Sequence, residues 1–167
     1  TAVFTLVNAV VLRPPPFEDP DRVVRIYQDS DDGDPSSSSF PAYRDMAAFE
    51  DVFQAVSASS PDGATWETPD GPRPASVEYV TSSHMDVLGL EPSFGRWFEP
   101  AWDRPGAGYH GVVSHHTWAN DMGADPAVLG RTIRLNGRPV TLVGVGPEEY
   151  NGSGGAVVTD FWLSISS

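Results

Sequence analysis

The chain opens on an apolar run, Thr1-Ala-Val-Phe-Thr-Leu-Val-Asn-Ala-Val-Val-Leu12, in which Asn8 is the one strongly polar residue; Arg13 and three prolines follow. A helix here is apolar around its whole circumference, which suits lipid better than the flank of a small domain. The pattern therefore predicts the outer end of a membrane helix, stopped by Pro14, Pro15 and Pro16, with Arg13 at the headgroups. Twelve helical residues rise about 18 Å, a little over half of a hydrocarbon core of about 30 Å. Further apolar residues are expected upstream.

Shorter periods follow. Arg22–Gln28 is rich in β-branched residues and predicts a strand. Asp29 to Ser39 is acidic, with serine, glycine and proline, and predicts a solvated loop. Ser39 then caps a helix starting near Pro41, with Phe40, Tyr43 and Ala47 on one face. Strands are predicted over Val52–Ser59, Ala64–Thr68 and Pro74–Thr81, the last two flanking a Pro-Asp-Gly-Pro turn. Ser82 or Ser83 starts a short helix closed by Gly89. His110–Ser114 reads as a strand, and His115–Met122 as a helix stopped by Gly123. Asp125-Pro126 begins one more helical turn. Two alternating runs flank Asn136-Gly137, the strongest hairpin signal in the chain, because a type I′ turn needs positive φ at both central residues. The resulting order, β-α-β-β-β-α-β-α-β-β, is an α+β pattern without a fixed internal repeat.

Charge narrows the classes. With 10 basic and 23 acidic side chains, the net charge is −13 over 167 residues. Nucleic acid and anionic lipid are disfavoured as partners, since both demand clustered cations on the protein. All the basic residues are arginine, and cysteine is absent, which removes disulfides, thiolate nucleophiles and cysteine-based zinc sites.

Candidate chemistry is sparse. His110, His115, His116 and Asp121 are the best metal candidates. Neighbouring helical residues point about 100° apart, so His115 and His116 do not share an ion easily. Asp29-Ser-Asp-Asp-Gly-Asp34 departs from the calcium-loop pattern at the fifth, sixth and twelfth positions. Gly144-Val-Gly146 lacks the third glycine of a dinucleotide turn, and no phosphate loop or nucleophile-elbow serine occurs. No catalytic residue, cofactor or metal is assigned. Five tryptophans, Trp66, Trp97, Trp102, Trp118 and Trp162, are spread over all the elements and suit core packing better than a sugar platform.

Four stretches together resemble one family, the extracytoplasmic (periplasmic) core domain of MacB/FtsX-type ABC transporter permeases, nearest the tandem-duplicated orphan permeases. They are Thr1–Phe17 with Asp19–Ile26; Val80–Phe98; Gly111–Trp118 continuing through Gly123–Gly137; and Val140–Pro147 with Asp160–Leu163. Gly146 stands where the family usually has methionine. The resemblance implies that residues 1–13 end the first transmembrane helix and that 14–167 form the core domain. Family members usually continue past the Asp-x-Trp stretch with another strand and a helix, so the resemblance implies a domain cut short at Ser167. The implied fold is α+β, with a porter-like βαβ lobe holding Arg22–Ser60 and much of Val77–Met122. A smaller β-rich lobe would hold the remaining strands and the Asn136-Gly137 hairpin.

The implied function is non-catalytic. A separate cytoplasmic ATPase subunit hydrolyses ATP, the permease helices transmit the motion, and the core domain acts on a substrate, an adaptor or a cell-wall enzyme outside the membrane. Two alternatives stay open: a secreted carbohydrate- or ligand-binding module with exposed tryptophans in a row, and a small hydrolase with one histidine beside a carboxylate in a pocket.

Overall fold

The Asn136-Gly137 hairpin forms where the sequence places it. In the computed structural model, which describes residues 17, 19–29, 35–36, 38–153 and 157–165, strands β7 (Thr132–Leu135) and β8 (Arg138–Val145) pair antiparallel around it. Asn136 has φ 49° and Gly137 φ 75°, as a type I′ turn requires. The tip is exposed, yet Asn136 is anchored: its N–H donates to the Thr65 carbonyl at 2.9 Å, and its Oδ1 accepts from the Thr65 N–H at 2.8 Å. The turn therefore sets both its own hairpin and that hairpin's register on the next strand.

That next strand is β3 (Ser59–Thr68), joined to β4 (Gly71–Val80) by the expected tight turn. The remaining strands are β5 (Phe94–Gly95), β6 (His110–Val113) and β9 (Phe161–Ser164). The pairing closes on itself. β3 pairs with β4, β4 with β9, β9 with β6, β6 with β8, β8 with β7, and β7 again with β3. Six strands thus form a closed barrel, and β5 adds to the far end of β8. Closure satisfies the backbone groups that an open sheet leaves at its edges.

Alternation along each strand divides the apolar residues between two cores. Val77, Leu142, Val113, Leu135, Phe161 and Leu163 fill the barrel with Trp66. Val80, Val112 and Trp162 face outward, where Met85, Leu88, Leu90, Phe98 and Tyr150 cover them. The cover includes helix α2 (His84–Leu88), closed by Gly89 in the left-handed conformation. Helix α1 (Phe40–Ala47) is capped by Ser39, as expected, and helix α3 (His115–Asp121) by Ser114, the residue that the sequence pattern places at the end of the preceding strand. A separate two-stranded pairing joins β1 (Gln28–Asp29) and β2 (Pro35–Ser36).

Several expectations are corrected. Arg22–Gln28 is not a strand: a 3₁₀ turn covers Pro20–Arg22, and only β1 pairs at its end. Val24, Ile26 and Tyr27 stay exposed, because β propensity without a neighbouring strand makes no ladder. Val52–Ser59 is not a strand either. The N–H groups of Val52 and Phe53 both bond back to the Phe49 carbonyl, so a turn follows α1, and extended pairing starts at Ser59. The hairpin β7–β8 shares the seven-stranded sheet with β4 and β6, so it does not stand in a lobe apart from them. The membrane-helix expectation for residues 1–13 lies outside the described residues, and no described helix is long and apolar enough to cross a membrane.

Candidate functional site

Glu78 sits between two residues that enter the barrel, Val77 and Tyr79, so its side chain points outward onto the second core. It is completely buried. A carboxylate in such a place needs donors on its oxygens. Trp162 lies opposite it on the parallel neighbour β9 and donates Nε1–H to Oε2 at 3.1 Å. The Ser153 N–H donates to the same oxygen at 3.2 Å, and the Ser153 hydroxyl bonds Oε1. Gly152 makes this approach feasible: it has φ 99°, and a Cβ there would collide with the Thr159 hydroxyl and lie 3.1 Å from Glu78 Oε2.

The surroundings extend the cluster. Tyr150 stacks on Trp162, with ring centroids 5.5 Å apart. Its hydroxyl is buried without a partner among the described residues, and burial, with the Glu78 charge, pushes its pKa up. His84 bonds the Ser57 hydroxyl through Nδ1 at 3.1 Å. Burial pushes this imidazole down to about 4, outweighing the opposing pull of Glu78, and the Arg25 charge adds to the downward push. Arg25 itself donates to the Ser153 carbonyl at 3.0 Å. The cluster therefore ties four segments together: β4, β9, the loop before β9, and the N-terminal strip carrying Arg25. Both oxygens of Glu78 accept hydrogen bonds and the side chain is completely buried, so the arrangement works as a brace.

The His84 shift carries a pH prediction. An unfolded histidine takes up its proton as pH falls through about 6.5, whereas the folded one waits until about 4. Between those values the unfolded chain binds more protons, so stability present above 6.5 is lost on acidification, by about 2 kcal/mol at pH 5. Thermal melts at pH 7.5 and pH 5 should show this loss, and His84→Gln should flatten it. An undiminished loss in that variant would rule out His84 as its source.

The residues singled out from sequence do not come together. His110 stacks on Trp102 with centroids 3.7 Å apart, and His115 rests on Trp118. His116 pairs with Asn120, and Asp121 holds Arg73 at 2.9 Å. Among the described residues no three histidine, aspartate or glutamate side chains converge as metal ligands. Residues 30–34 of the acidic loop lie outside the described ones. The tryptophans form no exposed row. Trp66 and Trp162 are buried, and Trp97, Trp102 and Trp118 pack half-buried against the two cores. This removes the geometric basis of the sugar-platform alternative. Glu78 escaped the sequence reading because Val-Glu-Tyr-Val has the alternation of a half-exposed strand, and nothing local marks its polar position as covered.

The fold and its brace define a structural α+β domain built on a small closed barrel. The chain belongs to the MacB-like periplasmic core domain family, whose pattern matches residues 1–167. Two solved structures share the fold. The extracellular domain of the noncanonic ABC-type transporter YknZ from Gram-positive bacteria superposes with a TM-score of 0.61 at 20% identity, over 84% of this chain and 71% of that one. The periplasmic region of MacB from Actinobacillus actinomycetemcomitans gives 0.50 at 18% identity, over 68% of this chain and 49% of that one. The chain thus spans about half of the MacB region. No curated protein sequence matches it.

Proposed function

We propose that this chain is the non-catalytic, extracytoplasmic domain of an ABC transporter permease. In this reading residues 1–13 end a transmembrane helix, and 14–167 form the domain outside the membrane. A cytoplasmic ATPase subunit drives the permease helices, and the domain converts their motion into export or signalling through a substrate or a periplasmic adaptor. The observation that carries the reading is the family match along the whole chain. The brace supports it physically: a part that transmits displacement must move as one body, and Glu78 joins β4, β9 and the loop before β9, to whose Ser153 carbonyl Arg25 of the N-terminal strip bonds.

The test uses the full-length permease with its ATPase in nanodiscs. Asp70→Cys places a thiol in the exposed turn of a cysteine-free chain. A spin label there is expected to change its distance to a second label on a transmembrane helix when ATP and vanadate are added. An impermeant thiol reagent is expected to reach the introduced thiol in intact cells. A distance distribution indifferent to nucleotide would overturn the coupling, and labelling only after lysis would overturn the placement.

A further inference from the structure

One end of the barrel is open. A cavity of about 270 Å³ there takes residues from around the whole ring. Ala64 comes from β3, Tyr79 from β4, Leu163 from β9 and Arg138 from β8; Asn136 follows β7, and Tyr109 precedes β6. The polar groups at this mouth are donors. Arg138 lies over the Tyr109 ring, 5.3 Å from its centroid. Among the described residues it has no carboxylate partner, a state it shares with Arg25, Arg44 and Arg104, whereas Arg22, Arg73, Arg96, Arg131 and Arg134 are ion-paired. Asn136 spends its Oδ1 on the Thr65 N–H, which leaves its NH₂ for a ligand. The hydroxyl of Tyr79 is held neutral: burial, and then the Asp62 charge, raise its pKa against the opposing effect of Arg138. Asp62 is the nearby acid, and its Oδ1 is engaged by the Gly63 N–H at 2.7 Å. Beneath these groups the floor is apolar, formed by Leu163 and Ala64.

A fixed cation, neutral donors and an apolar floor in one concavity suit a ligand with a carboxylate head and a small apolar body. The overall charge of −13 repels anions in general, so binding an anion here depends on the local field of Arg138, whose charge faces the cavity beside Asn136 and the two tyrosines. We propose that the open end of the barrel binds a small apolar monocarboxylate, of the arylacetate class. Arg138 and the Asn136 amide hold the carboxylate, and the ring sits between the tyrosines above Leu163. This site is separate from the Glu78 brace, and it stands whether or not the transport reading does.

The test is an NMR titration of the ¹⁵N-labelled chain with phenylacetate, phenethylamine and acetate. Phenylacetate is expected to shift the Asn136 side-chain amide and the Arg138 Nε–H saturably, with Kd on the order of 1 mM. Phenethylamine, a cation of the same shape, is expected to leave both unmoved. Arg138→Gln is expected to weaken phenylacetate about tenfold. Because Arg138 is exposed, that variant should keep the parent melting temperature. Tyr79→Phe provides a second, milder loss. No saturation by about 20 mM phenylacetate, equal binding of phenethylamine, or undiminished binding to Arg138→Gln would each overturn the site. Acetate binding as tightly as phenylacetate would overturn the apolar half of the assignment.

Discussion

Trp162→Ala is expected to lower the unfolding free energy by about 3–5 kcal/mol. Trp162 has no exposed surface and lies on β9, the strand between β4 and β6. It meets Tyr150 face to face, with planes 13° apart, and Trp97 edge-on at 87°. Truncation removes the largest side chain of the outer core and leaves a hole that rigid strands on either side cannot fill. It also removes the Nε1–H that Glu78 accepts. Small domains have total stabilities of about 5–15 kcal/mol, so the variant should sit near the edge of folding. Urea unfolding followed by circular dichroism measures it, and Trp162→Phe should recover about half of the loss by restoring volume without the donor. A midpoint unchanged in Trp162→Ala would mean that the outer core does not unfold with the barrel.

Glu78→Ala is expected to cost about 3 kcal/mol. Alanine loses one buried methylene and the carboxyl volume, and the larger part of the effect comes from donors left without an acceptor. Trp162 Nε1–H, Ser153 N–H and the Ser153 hydroxyl all converge on it, and each buried orphan costs about 1–3 kcal/mol. Ser153 can swing to water, which keeps the sum below the full three penalties. Glu78→Gln retains one acceptor and should cost about half as much. Hydrogen exchange separates this from ordinary core damage. In Glu78→Ala the Ser153 and Thr159 amides should exchange with their own, lower protection while the β3–β4 amides keep theirs. Uniform loss of protection through the barrel would show that Glu78 supports the whole fold and does not act as a local brace.

The legible parts of the fold are those with local chemistry. Ser39, Ser114 and Asp125 cap their helical turns by accepting from N–H groups two or three residues on, and for Ser39 and Asp125 the proline that follows marks the start in the sequence. Asn136-Gly137 and Pro69-Asp70 mark two hairpins. What escapes depends on partners distant in sequence. Phe161-Trp-Leu-Ser164 is buried at every position, so it shows no alternation, and four residues are too few to separate a strand from anything else. Arg22–Gln28 fails in the opposite way, with strand-like composition but a pairing partner only for Gln28 at its end. Barrel closure is invisible because it rests on a short contact, Trp66 with Leu135 and Glu67 with Arg134. The brace is hidden for the same reason: Glu78 meets Trp162 and Ser153 only after β9 has been inserted beside β4.

That insertion governs the order of assembly. Without β9 the remaining strands form an open curl, β4-β3-β7-β8-β6, whose two margins face each other across a gap. β9 is the last of these strands in the chain, and it fills that gap parallel to β4 on one side and antiparallel to β6 on the other. As the polypeptide emerges from the ribosome, every other stave is present first, and two unpaired margins wait for the final one. Such long-range closure makes for slow folding. It also leaves a nascent intermediate able to accept a foreign strand in place of its own. The interval between the emergence of Val145 and that of Ser164 is therefore the vulnerable period in this domain's biogenesis, when a holding chaperone has most to protect.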